Sequence, residues 1–287
     1  MKFTSSDCSD SPTAVKELET TYGFRPIEAV ASLNFLANTA FEELFAVRKL
    51  CSHMALPGVR HFNALLHLLH HIRCHPPNAL CYYTDPTQSP LASLLHKADL
   101  SHIDPFFLTM TDSSWGDCDL QRSTGCYIVF LQGGVIDFSS FVPKPITLSS
   151  AEAEINAMTV GAMATAFLRQ VVCFILYANT DRPFTVPLLT DSQSGIFITQ
   201  NERDTSRTRH IERRWLYVRQ ERQSSNILVL HLNGDAHNIA DLGTKNVSSN
   251  TPSSTYKLSI VEAPVSDSPI LHSSLTSSEL KGGVGNP

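Results

Sequence analysis

No two of the seven cysteines are spaced as C-x-x-C, and their number is odd. That speaks against a zinc knuckle or a disulfide framework and favours a reducing compartment. An unbroken apolar run is missing too. The most apolar stretch, residues 158–178, is interrupted by Arg169 and Gln170, whereas a membrane-spanning helix needs about 20 apolar residues in a row. The first ten residues carry no apolar run behind their charge, so no secretory signal is read. These absences predict a soluble protein of the cytoplasm or the nucleus, not secreted and with no membrane partner. Positive charge is also scarce: 22 Lys and Arg stand against 27 Asp and Glu, a formal net charge of −5. Spread evenly, that balance opposes nucleic-acid binding, because phosphate contacts dominate such affinity.

The charge is not spread evenly. Residues 201–222 hold the arginines Arg203, Arg207, Arg209, Arg213, Arg214, Arg219 and Arg222 against Glu202, Asp204, Glu212 and Glu221. A local basic stripe of this kind is the relevant footprint for nucleic acid. Apolar periodicity then divides the chain. Residues 1–22 are rich in Ser, Thr and Asp and are expected to be disordered. Residues 23–103 read as a helical segment, with helices at 27–37, 41–54 and 60–73 and stops at Pro57-Gly58 and Pro76-Pro77. From 104 to 245 the pattern is mixed. Strands are predicted at 106–111, 125–131 and 135–142, with Gly133-Gly134 as the hairpin turn. A long helix at 150–176 follows, then a strand at 185–190, helices at 192–200 and 208–222, a strand at 226–231 and a short helix at 237–243. This order predicts an α/β fold, a mixed sheet with helices on its faces. Residues 246–287, with 11 serines and four prolines, are expected to form a disordered tail.

Four acids fall where strands end or helices begin: Asp112, Glu154, Asp191 and Asp241. Phosphodiester hydrolysis by two cations about 3.5–4 Å apart needs such a set. Mg²⁺ is hard, prefers oxygen and keeps several waters, so three or four carboxylates can hold a pair and leave room for phosphate. Each acid also has a plainer reading. Asp112 and Asp191 serve equally as turn or N-cap residues, and Asp241 alone is an ordinary surface acid. Glu152 and Glu154 point to different sides of a helix. Ser149-Ser150-Ala151-Glu152 reads as a capping box in which Glu152 reaches back to Ser149, which leaves Glu154 for chemistry. Gln193, just past Asp191, is a candidate reader of a minor-groove 2′-hydroxyl, with a plain helix-start residue as the alternative. Arg207, Arg209, His210 and Arg213 are candidate phosphate contacts, with a solvated charged face as the alternative.

Six ordered blocks carry a resemblance. TDSSWGD (111–117), RSTGCYIVFLQGG (122–134), ITLSSAEAEINAM (146–158), LLTDSQSGI (188–196), RTRHIERRWLYVRQE (207–221) and ADLGTK (240–245) resemble the ribonuclease H domain of copia-type retrotransposon polyproteins. GFRPIEAVASLNFLANT (23–39), FAVRKL (45–50) and MALPGVRHFNALLHLLHHI (54–72) resemble the segment that joins polymerase to ribonuclease H in the same polyproteins. The resemblance implies an RNase H-like mixed five-stranded sheet, preceded by a small helical segment. It places the family's four metal-binding acids on Asp112, Glu154, Asp191 and Asp241. It implies two Mg²⁺ ions, with Mn²⁺ able to substitute, and cleavage of the RNA strand of an RNA–DNA hybrid during reverse transcription, leaving a 3′ hydroxyl and a 5′ phosphate. A polymerase domain is an implied partner, and no polymerase activity is expected of residues 1–103 themselves. Ile155 replaces an aromatic residue of the pattern, and residues 246–287 do not resemble the family. The alternative expectation is therefore an inactive remnant with an RNase H-like fold.

Histidines at 61, 67, 70, 71 and 75 invite a metal-site reading, since His67 and His71 are one helical turn apart. The favoured reading is a polar helix face standing where the family has basic residues. His237, one turn before Asp241, is read as a capping or solvent-facing residue.

Overall fold

The computed structural model describes residues 3–76, 80–117, 122–144, 146–179, 184–200, 212–233 and 238–245, with backbone only at 212–215. Five helices come first: α1 Pro12–Tyr22, α2 Pro26–Leu36, α3 Leu44–Cys51, α4 Val59–Cys74 and α5 Pro90–Lys97. Strands β1 Phe107–Ser114, β2 Thr124–Leu131 and β3 Gly134–Phe141 follow. Then come α6 Ser150–Tyr177, β4 Val186–Thr190, α7 Gln193–Gln200, α8 Glu212–Gln223, β5 Ile227–His231 and a 3₁₀ turn, Ile239–Gly243.

The sheet order is β3-β2-β1-β4-β5. β1 pairs antiparallel with β2 and parallel with β4, and β4 pairs parallel with β5. This is the mixed five-stranded sheet with flanking helices that the element order predicts. The β2–β3 turn is centred one residue earlier than expected. Gln132 and Gly133 take the left-handed conformation, with φ of 53° and 71°, as a two-residue hairpin loop requires, and Gly134 begins β3.

Alternation along β1 sorts the two faces. Leu108 and Met110 bury against Leu91, Leu94 and Leu95 of α5 and against Ile239 and Leu242 of the 3₁₀ turn. Thr109 and Thr111 face α6 instead: Thr109 and Thr165 share a 2.6 Å hydroxyl contact. On that side Met158 and Ala162 of α6 pack with Leu188, Val218, Ile227 and Val229. α6 is long and apolar enough to cross a membrane by length and composition. Here it lies on the sheet instead, and Arg169, which interrupts its apolar run, donates from Nε to the Phe184 carbonyl at 2.7 Å.

The helical segment has its own core, in which Val30, Leu33, Leu44, Val47, Leu50, Leu65 and Leu68 pack together. It is tied to the sheet by Lys49, whose ammonium lies 2.9 Å from Asp117, and by Phe41, which packs on Phe138 of β3. The first residues differ from expectation. Residues 12–22 are helical, because Ser11 accepts from Ala14 N–H, Pro12 occupies the first turn and Gly23 closes the helix at φ 77°. Phe3 is buried against the rings of His53 and His61. A composition rich in Ser and Thr concealed these caps.

Gly161 sets how closely α6 approaches the sheet. A Cβ there would lie 2.6 Å from Thr111 Cγ2 and 3.2 Å from Tyr127 Cβ. Gly161→Val should therefore destabilise the fold by about 1–3 kcal/mol through overpacking, even though valine is the better helix former. A lower urea midpoint is expected, and an unchanged or higher one would contradict this packing.

Candidate metal centre

Asp112 is the sixth residue of β1, inside the strand rather than at its end, and pairs across to Cys126. Because β1 and β4 run parallel with Thr111 beside Thr190, Asp191, the residue after β4, arrives next to Asp112. Glu154 enters from the start of α6. The helix is placed by Ser149, which accepts from Glu152 N–H at 3.2 Å, while Glu152 accepts from Leu148 N–H at 2.7 Å. Glu152 thus has the capping role expected of it, with Leu148 rather than Ser149 as its donor. The 3₁₀ turn brings Asp241. Asn238 starts that turn by accepting from Ala240 N–H, and its amide donates to the Thr111 carbonyl at 2.9 Å. The turn is so pinned beside Asp112.

The candidate ligand atoms of Asp112, Glu154 and Asp191 all lie within 4.8 Å of one another. Asp241 stands at the edge of this group, with Oδ1 2.8 Å from the Lys245 ammonium. The same ammonium is 3.8 Å from Asp112 Oδ2, and the Thr244 hydroxyl donates to that oxygen. Ser113 Oγ donates to Glu154 Oε1 at 2.7 Å. Sequence reasoning did not single out Ser113, Asn238, Thr244 or Lys245. Thr244 and Lys245 stand in the block ADLGTK, and Asn238 two residues before Ala240 carries a cap signal.

Burial and mutual repulsion dominate the electrostatics. Burial, then Asp241, pushes Asp112 up to about 8, with Lys245 and Thr244 working the other way. Burial raises Glu154 to about 7, opposed by the Ser113 hydroxyl and reinforced by Asp191. Burial and Asp241 raise Asp191 as well. Lys245 is pulled down by burial, but Asp112, Asp241 and Asp191 together outweigh this and hold it above its ordinary value. Glu154 Oε2 is buried with no hydrogen-bond partner among the described residues, which ordinarily costs about 1–3 kcal/mol or more for a charged group. A set of hard carboxylate oxygens, close together, buried at Asp112 and half-buried at Glu154 and Asp191, fits a hard divalent cation such as Mg²⁺.

Gln193 opens α7 and is exposed, while Ser192 supplies the cap by accepting from Gly195 N–H at 3.0 Å. Arg207, Arg209, His210 and His237 lie outside the described residues, and Arg213 is described in backbone only. Cys8, His53 and His61 form a second close group. The His53 and His61 rings stack at 4.8 Å with 26° between their planes. His61 Nδ1 also accepts from Gly58 N–H at 3.1 Å. At the end of α4, His71 and the capping His75 stack at 4.9 Å and, with His67 and His70, form no close ligand group among the described residues.

The raised carboxylates fix the sign of a pH effect. A group whose folded pKa exceeds its unfolded value makes the fold bind more protons than the unfolded chain, so stability falls as pH rises between the two values. Without divalent cations, the thermal midpoint should fall from about pH 4 to about pH 8, the window set by Asp112 near 8 and Glu154 near 7. Glu43, raised to about 7 by burial, adds a slope of the same sign. Asp112→Asn should flatten the curve in part and stabilise the protein at pH 8 in EDTA. Differential scanning calorimetry across this range checks it, and a midpoint rising with pH would contradict it.

No family model matches the chain. Among curated proteins it is similar to the retrovirus-related Pol polyprotein of transposon TNT 1-94 from Nicotiana tabacum, with 27% identity over 241 residues, or 83% of the chain. Similar proteins also include those of transposons RE2 and RE1 from Arabidopsis thaliana, 27% and 28% identical, each over 76% of the chain. The chain spans only 14–16% of the length of these relatives. Of solved structures, RNase H1 from Halobacterium salinarum NRC-1 matches 48% of the chain and 93% of its own length, at 14% identity and TM-score 0.36. The foamy viral protease-reverse transcriptase in complex with RNA/DNA hybrid matches 84% of the chain and 28% of its own, at 15% identity and TM-score 0.39. Over 76–83% of its length, then, the chain is similar to part of the retrovirus-related Pol polyproteins of plant transposons.

Proposed function

We propose that this chain is the ribonuclease H part of a copia-type retrotransposon polyprotein, and that it hydrolyses the RNA strand of RNA–DNA hybrids. The observation that carries this reading is the convergence of Asp112, Glu154 and Asp191, from two strands and a helix, to within 4.8 Å. These residues lie far apart in sequence and share no structural task that needs them together. In this reading the three carboxylates hold the metal, and Asp241 completes the set from the edge. Two Mg²⁺ ions held there, or Mn²⁺ in their place, would supply an activated water and neutralise the leaving oxygen.

The chain's own residues do the rest. Ser113 holds one oxygen of Glu154, and the other is buried without a hydrogen-bond partner among the described residues. Thr244 orients Asp112, and Asn238 fixes the turn that carries Asp241. Exposed Gln193 would meet a 2′-hydroxyl in a hybrid's minor groove, and Arg207, Arg209, His210 and Arg213 would grip phosphates. A polymerase domain is the expected partner of the helical segment.

The purified chain, given a hybrid labelled on either strand, should cut the RNA strand alone with Mg²⁺ or Mn²⁺ and not with EDTA. Asp112→Asn should lower the rate on the order of a thousandfold or more while leaving the circular dichroism unchanged. Undiminished cleavage by Asp112→Asn would remove the proposed site. No cleavage by a folded parent protein would favour an inactive remnant.

A further inference from the structure

Lys245 follows the 3₁₀ turn, where its backbone N–H donates to the Asp241 carbonyl at 2.9 Å. Its ammonium lies 2.8 Å from Asp241 Oδ1 and 3.8 Å from Asp112 Oδ2. The side chain is half exposed, whereas that of Asp112 is almost fully buried. Lys245 therefore reaches from the surface into the acid cluster along a flexible stem and keeps a path back to solvent. It offsets one of several negative charges there, at two oxygens belonging to different acids.

A divalent cation would draw on the same atoms. Mg²⁺ binds carboxylate oxygens at about 2.0–2.1 Å, so an ion on Asp112 Oδ2 or Asp241 Oδ1 would sit against the ammonium, and the two positive charges repel. A lysine has no lone pair to give the ion while it stays protonated. Its contacts with the two acids and an ion's contacts with the same oxygens are therefore mutually exclusive arrangements.

We propose that Lys245 is a built-in counter-cation of the acid cluster, one that holds Asp112 and Asp241 in place without metal and swings out to solvent when a divalent cation binds. The inference rests on reading the cluster as a metal centre. Lys245 then sets the affinity of the centre, because an ion that takes Asp112 Oδ2 or Asp241 Oδ1 must first displace it. It also protects the metal-free fold, because removing the ammonium leaves the carboxylates facing one another.

The test is Mn²⁺ binding to the full chain by isothermal titration calorimetry, without nucleic acid, for the parent, Lys245→Met, Lys245→Arg and Asp112→Asn. Lys245→Met should bind Mn²⁺ about tenfold tighter, within the usual range of coupling between competing ligands. Lys245→Arg, which keeps the charge, should stay near the parent, and Asp112→Asn should bind more weakly. In EDTA, Lys245→Met should also melt below the parent and gain more from added Mn²⁺; Lys245→Gln serves the same purpose should the methionine variant fail to fold. Unchanged or weaker Mn²⁺ binding by these neutral variants, with Asp112→Asn still impaired, overturns the counter-cation role and leaves the metal centre standing. Undiminished Mn²⁺ binding by Asp112→Asn overturns the metal centre and the inference with it.

Discussion

Repulsion among crowded, buried and half-buried carboxylates is the constraint to which the sheet end answers. Asp112, Glu154 and Asp191 come within 4.8 Å of one another, where water that would solvate them is largely excluded. Such a cluster persists only if the surrounding fold over-determines it. β1 and β4 do so through their parallel register, α6 through its Ser149 cap, and the 3₁₀ turn through the bond from Asn238 to the Thr111 carbonyl. Lys245 and Thr244 relieve part of the repulsion from one side, and Ser113 from the other.

Packing around this end is correspondingly close. Gly161 lets α6 lie against Thr111, one residue before Asp112 in β1. Gly243 does the same for the 3₁₀ turn, where a Cβ would collide with Cys126 Sγ. Cys126 is the β2 residue paired with Asp112, so both approaches bear directly on where that carboxylate sits. The salt bridge from Lys49 to Asp117 and the contact of Phe41 with Phe138 anchor the helical segment to the same sheet.

Much of this was legible in the sequence because it rests on short-range pattern. Alternating apolar residues marked β1 to β3, and the long apolar run with a Ser-x-x-Glu start marked α6. The capping argument separated Glu152 from Glu154, and the two do lie in different surroundings, one capping the helix and one facing the cluster. Other features depend on contacts between distant residues. The place of Asp112 within β1 follows from pairing with β2, which extends the strand to Ser114. Lys245 looks like a surface lysine until the fold brings its ammonium to Asp112. Cys8 and His53 meet only because the N-terminal residues dock on α3 and α4, so the histidines gained a cysteine neighbour that no spacing rule contained.

Anomalous scattering from Mn²⁺-soaked crystals is the most direct test of the central claim. The account predicts a peak among the carboxylates of Asp112, Glu154 and Asp191, with the Lys245 ammonium turned away from Asp112. A map with no peak at the end of the sheet, or with its peak beside Cys8, His53 and His61, would contradict it.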